Sequence, residues 1–169
     1  DKRKRFTVSN GNKLALTRDE FQTAYNFDQY AQASFEPTDQ LLLIAGARHS
    51  RVAMNVKDHF LTDGDSSGIV AYTNTSPVLG ATFKVTPKFN VYANFGRGFE
   101  TPTFAEMTYS DVLNAKGNGS GAGPNLSMTP ARSKNYEIGA KAFITDNTRI
   151  NLALFKVDAK NEIIAYAYN

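Results

Sequence analysis

Apolar and polar residues alternate along six stretches of this chain, and the stretches come in pairs. Phe27, Ala31, Ala33 and Phe35 share one parity, with Asp28, Tyr30, Gln32, Ser34 and Glu36 on the other. Leu41, Leu43, Ala45 and Ala47 then stand opposite Gly46, Arg48 and Ser50. Leu79, Ala81, Phe83 and Val85 oppose Gly80, Thr82 and Lys84, and Phe89, Val91, Ala93 and Phe95 oppose Asn90, Tyr92 and Asn94. Tyr136, Ile138, Ala140 and Ala142 oppose Glu137, Gly139 and Lys141, and Ile150, Leu152 and Leu154 oppose Asn151 and Ala153. A period of two predicts β-strands with one apolar face each. The alternation blurs at Leu154–Phe155, where a bulge or an interfacial aromatic is expected.

Within each pair the connection is short and of one kind: Glu36-Pro37-Thr38-Asp39-Gln40, Val85-Thr86-Pro87-Lys88-Phe89 and Ile144-Thr145-Asp146-Asn147-Thr148. Between pairs the sequence is longer and polar, with loops expected near 9–23, 58–76 and 100–130; the last holds Gly117-Asn118-Gly119-Ser120-Gly121-Ala122-Gly123. Short turns at one end and long loops at the other predict an all-β, antiparallel meander of long hairpins, organised as the wall of a transmembrane β-barrel. A polar face of amide, small and charged groups suits a hydrated lumen. A soluble β-sandwich binding module would place the same groups in bulk water, and periodicity alone leaves that alternative open.

Composition narrows this picture. The chain has 169 residues, no cysteine, no tryptophan and a net charge of +3. Without cysteine there is no disulfide framework, thiolate metal site or thiol nucleophile. The charge is too small to argue for nucleic acid. Mean hydropathy is -0.38, and the longest apolar run, Leu41 to Ala45, has strand length rather than the roughly 20 residues of a membrane helix. The start, Asp1-Lys2-Arg3-Lys4-Arg5, has no apolar stretch behind it as a signal peptide would. The chain begins and ends within patterned sequence, so residues 1–169 read as a partial barrel domain cut from a longer parent.

One segment names a family. Asn94-Phe95-Gly96-Arg97-Gly98-Phe99-Glu100-Thr101-Pro102-Thr103-Phe104-Ala105-Glu106-Met107, entered from the strand Val91-Tyr92-Ala93-Asn94, closely resembles TonB-dependent outer-membrane receptors, which carry an Arg-Gly-Phe-x-x-Pro-Thr stretch followed by an acidic residue. Asn125, Leu126, Pro130, Tyr136, Glu137 and Gly139 match the family's continuation, whereas Ala131 stands where an acidic residue is usual. Residues 151–163 look like the next hairpin arm, and Arg5-Phe6 through Tyr30-Ala31-Gln32 resembles siderophore receptors. The resemblance implies a barrel of about 22 strands closed by an N-terminal plug. It implies import of a ferric siderophore across a bacterial outer membrane, with energy passed on by TonB. This chain would supply six or seven strands, without the plug or the TonB-contacting segment. The same fold importing cobalamin, haem or a glycan is the alternative.

The resemblance implies ligand contacts by location, in the loops and upper wall: Arg97, Tyr109, Arg51, Tyr72 and Arg132 are the candidates. Basic groups suit anionic iron chelates, and arginine can grip a carboxylate in a bidentate way. Arg97 shares the parity of Phe89–Phe95, which favours a structural role unless Gly96 and Gly98 shift the register. Asp63, Asp65, Ser67 and Gly68 match the opening of a calcium loop, but Asn74 stands at the twelfth position, so a solvated Asp/Gly turn is the expected reading. His49 and His59 lack metal-pair spacing. Lys2-Arg3-Lys4-Arg5 reads as a strand end facing the lumen or lipopolysaccharide phosphates, and Tyr25, Tyr72, Tyr92, Tyr109 and Tyr136 include candidates for an interfacial girdle. No acid/base or nucleophile constellation points to an enzyme. No cofactor is expected, iron entering only within the siderophore, and the expected partners are the chelate, TonB, and outer-membrane lipid and lipopolysaccharide.

Overall fold

The computed structural model describes residues 1–109, 124–145 and 147–164. Seven strands, β1 (Lys2–Ser9), β2 (Asn12–Thr38), β3 (Leu41–Asp58), β4 (Gly68–Thr86), β5 (Phe89–Glu100), β6 (Ala131–Thr145) and β7 (Thr148–Lys160), form one sheet. They lie in sequence order, and every neighbouring pair is antiparallel. A short helix, α1 (Phe104–Tyr109), lies between β5 and β6. The all-β meander read from the alternation is the architecture observed.

The three short turns share one device. Thr38, Thr86 and Thr145 each end a strand, and their Oγ1 atoms accept the backbone N–H of Leu41 (3.2 Å), Lys88 (3.2 Å) and Asn147 (3.3 Å). Each threonine is preceded by a register shift, after Phe35, Lys84 and Phe143 respectively. An extra residue there tightens the local twist just before the chain reverses. The turns are also tied to the next hairpin, since Lys84 N–H donates to the Gln40 carbonyl and Phe143 N–H to the Lys88 carbonyl (both 2.8 Å).

At the other end the expected loops need correcting. Residues 9–23 are almost entirely strand: β1 reverses at Asn10-Gly11, with φ of 49° and 78°, and β2 runs from Asn12. Two consecutive positive φ values are the type I′ signature that Asn-Gly favours in hairpins. The 58–76 connection is shorter than expected, because β3 runs to Asp58 and β4 begins at Gly68. Asp58 closes the remaining loop: its carboxylate accepts the N–H groups of Phe60 (2.8 Å) and Ser66 (3.1 Å), and its own N–H donates to Ser67 Oγ (2.9 Å). With 27 residues, β2 extends roughly 90 Å at ~3.4 Å per residue, far more than the 9–11 residues needed to cross a bilayer.

The sheet has two unlike faces. Cross-strand registration aligns Ala33, Ala45, Leu79 and Phe95 in one row and Phe35, Leu43, Ala81 and Ala93 in the next. Rows continue through Phe95–Tyr136 and Ala93–Ile138–Leu154. This outward face is apolar and open: Ile138 is 60% exposed and Leu154 70%. A contiguous apolar wall of this kind needs a non-aqueous cover. Phe155 adds no bulge, because pairing is unbroken from Ile150 to Lys160; it stands on the inward face opposite Glu137.

Candidate functional site

The inward face carries hydrogen-bonding groups in matched sets. Arg48 is ion-paired with Asp28, whose carboxylate also accepts Asn26 Nδ2 (3.0 Å). Lys84 Nζ lies 3.7 Å from Glu36. Tyr92 Oη donates to Glu137 (2.6 Å), and Lys141 Nζ sits 5.1 Å from the centre of the Tyr92 ring. A cavity of 620 Å³ is lined by Asp28, Tyr30, Gln32, Arg48, Ser76 and Asn135 of this face and, at the edge where β4 and β5 stop pairing, by Pro77 and Arg97 of the opposite parity. Such a surface can bind a polar solute or guide it past. Among the described residues no three His, Cys, Asp or Glu side chains converge as a metal site.

Above the apolar band the inward face becomes a small core. Met54 and Tyr72 are buried there against Met107 of α1, with Val52, Val70, Phe99, Phe104, Leu126 and Met128 around them. The segment after β5 is built to dock this way. Thr103 Oγ1 accepts the N–H of Glu106 (3.2 Å) while Glu106 Oε2 accepts the N–H of Thr103 (2.7 Å), a reciprocal capping box. Phe104 and Met107, three residues apart, then share the face that meets β3 and β4. Tyr72 Oη donates to the Met128 carbonyl (3.0 Å), Asn125 N–H donates to the Met107 carbonyl (2.9 Å), and Leu126 packs into the space over Gly68. The 101–109 and 124–130 segments are thereby held against the inner wall.

The five candidate contacts are dispersed by this geometry. Arg97 pairs with Lys134 without a register shift, so the two glycines leave it on the Phe89–Phe95 face, directed outward. Arg51, opposite Phe27 and Thr73, has the same parity; Arg132 shares it by pairing with Phe99, but Phe99 packs against the Met54–Tyr72 core, so parity does not orient the ends of β5 and β6 beyond the last β4–β5 pair. Tyr72 is inward but only 6% exposed, and burial pushes its phenol above the ordinary tyrosine range. The Tyr109 side chain lies outside the described residues. Arg97 and Arg132 do come together, with Lys134, Lys160 and Asp158, along a 730 Å³ groove at the rim. It opens where β4 parts from β5, their pairing ending at Val78–Gly96.

Other candidates resolve into structural roles. Asp65 accepts the Ser67 N–H (2.9 Å), and hydrogen bonds from Ser67 hold its carboxyl below the usual range. Ser67 Oγ is engaged with the Asp58 N–H. His49 Nδ1 is 2.9 Å from Thr75 Oγ1. Lys2 and Lys4 are within 3.9 and 3.2 Å of Asp19. Of the tyrosines, Tyr136 is outward against Phe95, with ring centres 5.2 Å apart, whereas Tyr72 and Tyr92 face inward.

Long hairpins with an apolar outer band, a polar inner face and loops packed inside the wall define a segment of a transmembrane β-barrel. Comparison with known proteins specifies which kind. The family described as TonB dependent receptor-like, beta-barrel, matches residues 2–169, and the chain belongs to it. The wall is therefore one of a bacterial outer membrane. Among curated relatives, the rhizobactin receptor of Rhizobium meliloti is 36% identical over 43% of this chain and 12% of its own length. The vitamin B12 transporter BtuB of Photobacterium profundum is 40% identical over 45% of this chain and 10% of its own. The chain thus spans about a tenth of these relatives' length. Among solved structures, the ferric-catecholate import receptor Fiu from K12 E. coli superimposes with a TM-score of 0.64 at 19% identity, over 91% of this chain and 24% of that one. The copper transporter OprC gives 0.63 at 12%, over 90% and 25%. At such identities the likeness is one of fold.

Proposed function

We propose that this chain is a wall-and-loop segment of a receptor that binds and imports a ferric siderophore. The observation that carries the cargo class is the sequence similarity to the rhizobactin receptor, supported by an inner wall rich in amide, hydroxyl and paired charged groups. In this reading the seven strands are part of a closed barrel of about 22, whose remaining strands and plug lie elsewhere in the protein. Energy reaches the plug through TonB. The cargo undergoes no chemistry, iron travels within it, and the apolar band contacts outer-membrane lipid and lipopolysaccharide.

Uptake of radioiron by cells carrying or lacking the full-length receptor, across a siderophore panel, tests this. Energy-dependent uptake of one chelate, abolished when the inner-membrane proton gradient is collapsed, is the expected result. Absence of uptake for every iron chelate overturns the cargo assignment and favours cobalamin, the second reading, which the similarity to the vitamin B12 transporter supports.

A further inference from the structure

Pairing between β4 and β5 stops at Val78–Gly96, although β4 goes on pairing with β3 as far as Gly68. Pro77, which has no N–H to give, stands where the next β4–β5 pair would form. Past that point β5 turns away, and Phe99 packs against the Met54–Tyr72 core. Residues 69–76 of β4 are left with a ladder on the β3 side only. On their other side no backbone group is bonded among the described residues.

This edge lacks the devices by which sheets guard an edge, namely charged side chains and bulges. Residues 68–83 contain no charged side chain, and no register shift interrupts the β3–β4 pairing. Ile69, Ala71, Thr73 and Thr75, on one parity, are all exposed. Isoleucine and threonine suit a neighbouring strand. Across the opening lie cations instead. A 730 Å³ groove runs from Asn74 on this edge to Arg97, Arg132, Lys134 and Lys160. These four cations are in no ion pair among the described residues. Asp158, the acid of the groove lining, is engaged by Lys156 at 3.0 Å. A second copy of the same edge would bring like charges together here, whereas an acidic strand would neutralise them.

We propose that the 69–76 edge is a docking site for an extended, acidic segment of an external protein, which adds a strand to β4. The backbone of that segment takes up the open N–H and C=O groups, as in strand addition generally. Its carboxylates meet the cations across the groove in charge-assisted hydrogen bonds. The proposal rests on the loop end of the barrel facing outside; it does not depend on the cargo. The test uses the full-length receptor, purified in detergent, without siderophore. The probe is a fluorescein-labelled peptide of roughly eight residues, long enough to span the edge at ~3.4 Å per residue. It alternates threonine and glutamate, and binding is read by fluorescence anisotropy.

We expect saturable binding that weakens at least ten-fold when the peptide nitrogens are methylated, and likewise when lysine replaces glutamate. T73E/T75E, which sets carboxylates beside the incoming strand without removing a backbone donor, should weaken it by a similar factor. R97Q/K134Q should weaken it at least five-fold, and K88Q, in the turn before β5, should change nothing. Electrophoretic heat-modifiability reports whether each variant is folded, and R97Q/K134Q serves if T73E/T75E is not. No binding to the unmodified receptor overturns the site, as does equal binding of the methylated peptide or by folded R97Q/K134Q. A dimer seen by light scattering that T73E/T75E dissociates would assign the edge to a second copy and overturn the external partner. Peptide binding with no uptake of any chelate would leave this proposal standing and remove the siderophore reading alone.

Discussion

Tyr92 lies across Gly139 on the neighbouring strand, so that a methyl group at 139 would sit 2.5 Å from the Tyr92 ring and hydroxyl and 2.6 Å from the Leu152 carbonyl. The glycine is the space through which Tyr92 reaches Glu137, at 2.6 Å. Gly139→Ala must displace both the ring and a backbone carbonyl, and overpacking of this kind costs about 1–3 kcal/mol. Tyr92→Phe removes only the hydrogen bond to a carboxylate, a smaller loss because water can take the place of the hydroxyl. Urea unfolding of the full-length receptor in lipid vesicles should therefore show both variants destabilised, Gly139→Ala the more. The double variant should lose less than the sum, because shortening the tyrosine relieves part of the clash.

Met107 is fully buried between α1 and the inner wall. Met107→Ala should cost about 2–5 kcal/mol of packing, but locally, because the sheet itself is held by its ladders. The expected result is faster proteolytic cleavage between Glu100 and Ala131 with an unchanged heat-modifiability shift. Thr103→Ala, which removes one arm of the capping box, should act in the same direction by about 1 kcal/mol.

How much of this can be read in the sequence follows from where each residue sits. Within the band one face is apolar and the other polar, so Leu79–Val85 and Phe89–Phe95 alternate cleanly and their rows register as read. Beyond the band the outward face turns polar as well, and the signal disappears. Arg18, Glu20 and Gln22 are buried on the inward face of β2 yet polar, which is why 9–23 reads as a loop. The Asn10-Gly11 turn is a signal that could correct this, and the Thr103–Glu106 spacing one that could find α1. Parity places Arg97 outward; for Arg51 and Arg132 the reading rests on location without parity. The inner core at Tyr72 depends on chain returning from 101–130, which no local pattern announces.

Tyr72 supplies a pH dependence on the alkaline side. Burial raises its phenol above the ordinary value, so its neutral form is favoured in the folded wall. Stability from this group is complete below the unfolded tyrosine value of ~10 and is lost as pH rises through the higher folded value. Subtracting the ultraviolet phenolate titration of Tyr72→Phe from that of the unmodified receptor should leave one transition with a midpoint above ~10. A difference transition at or below that value would show that the phenol is not shielded. Above the midpoint the bond to the Met128 carbonyl is lost, and cleavage of the 101–130 segment should accelerate.

Asp28 supplies the acid-side counterpart. It stands beyond the row Gln29–His49–Thr75, where the outward face turns polar. Hydrogen bonds from Arg48, then Ser50, hold its carboxyl at about 2. A depressed carboxylate contributes stability that is present above the unfolded value of ~3.9 and is lost as pH falls through the folded one. Arg48→Gln removes the largest of these influences and moves the carboxyl back toward its ordinary acidity. The unmodified receptor should therefore be more stable than Arg48→Gln at pH 6, and the gap should close between pH 4 and pH 2. Because the pair is exposed to water, the gap should also shrink in molar salt. A gap that is constant across this range would mean that Arg48 acts through packing of its stem and that Asp28 is not its electrostatic partner in solution.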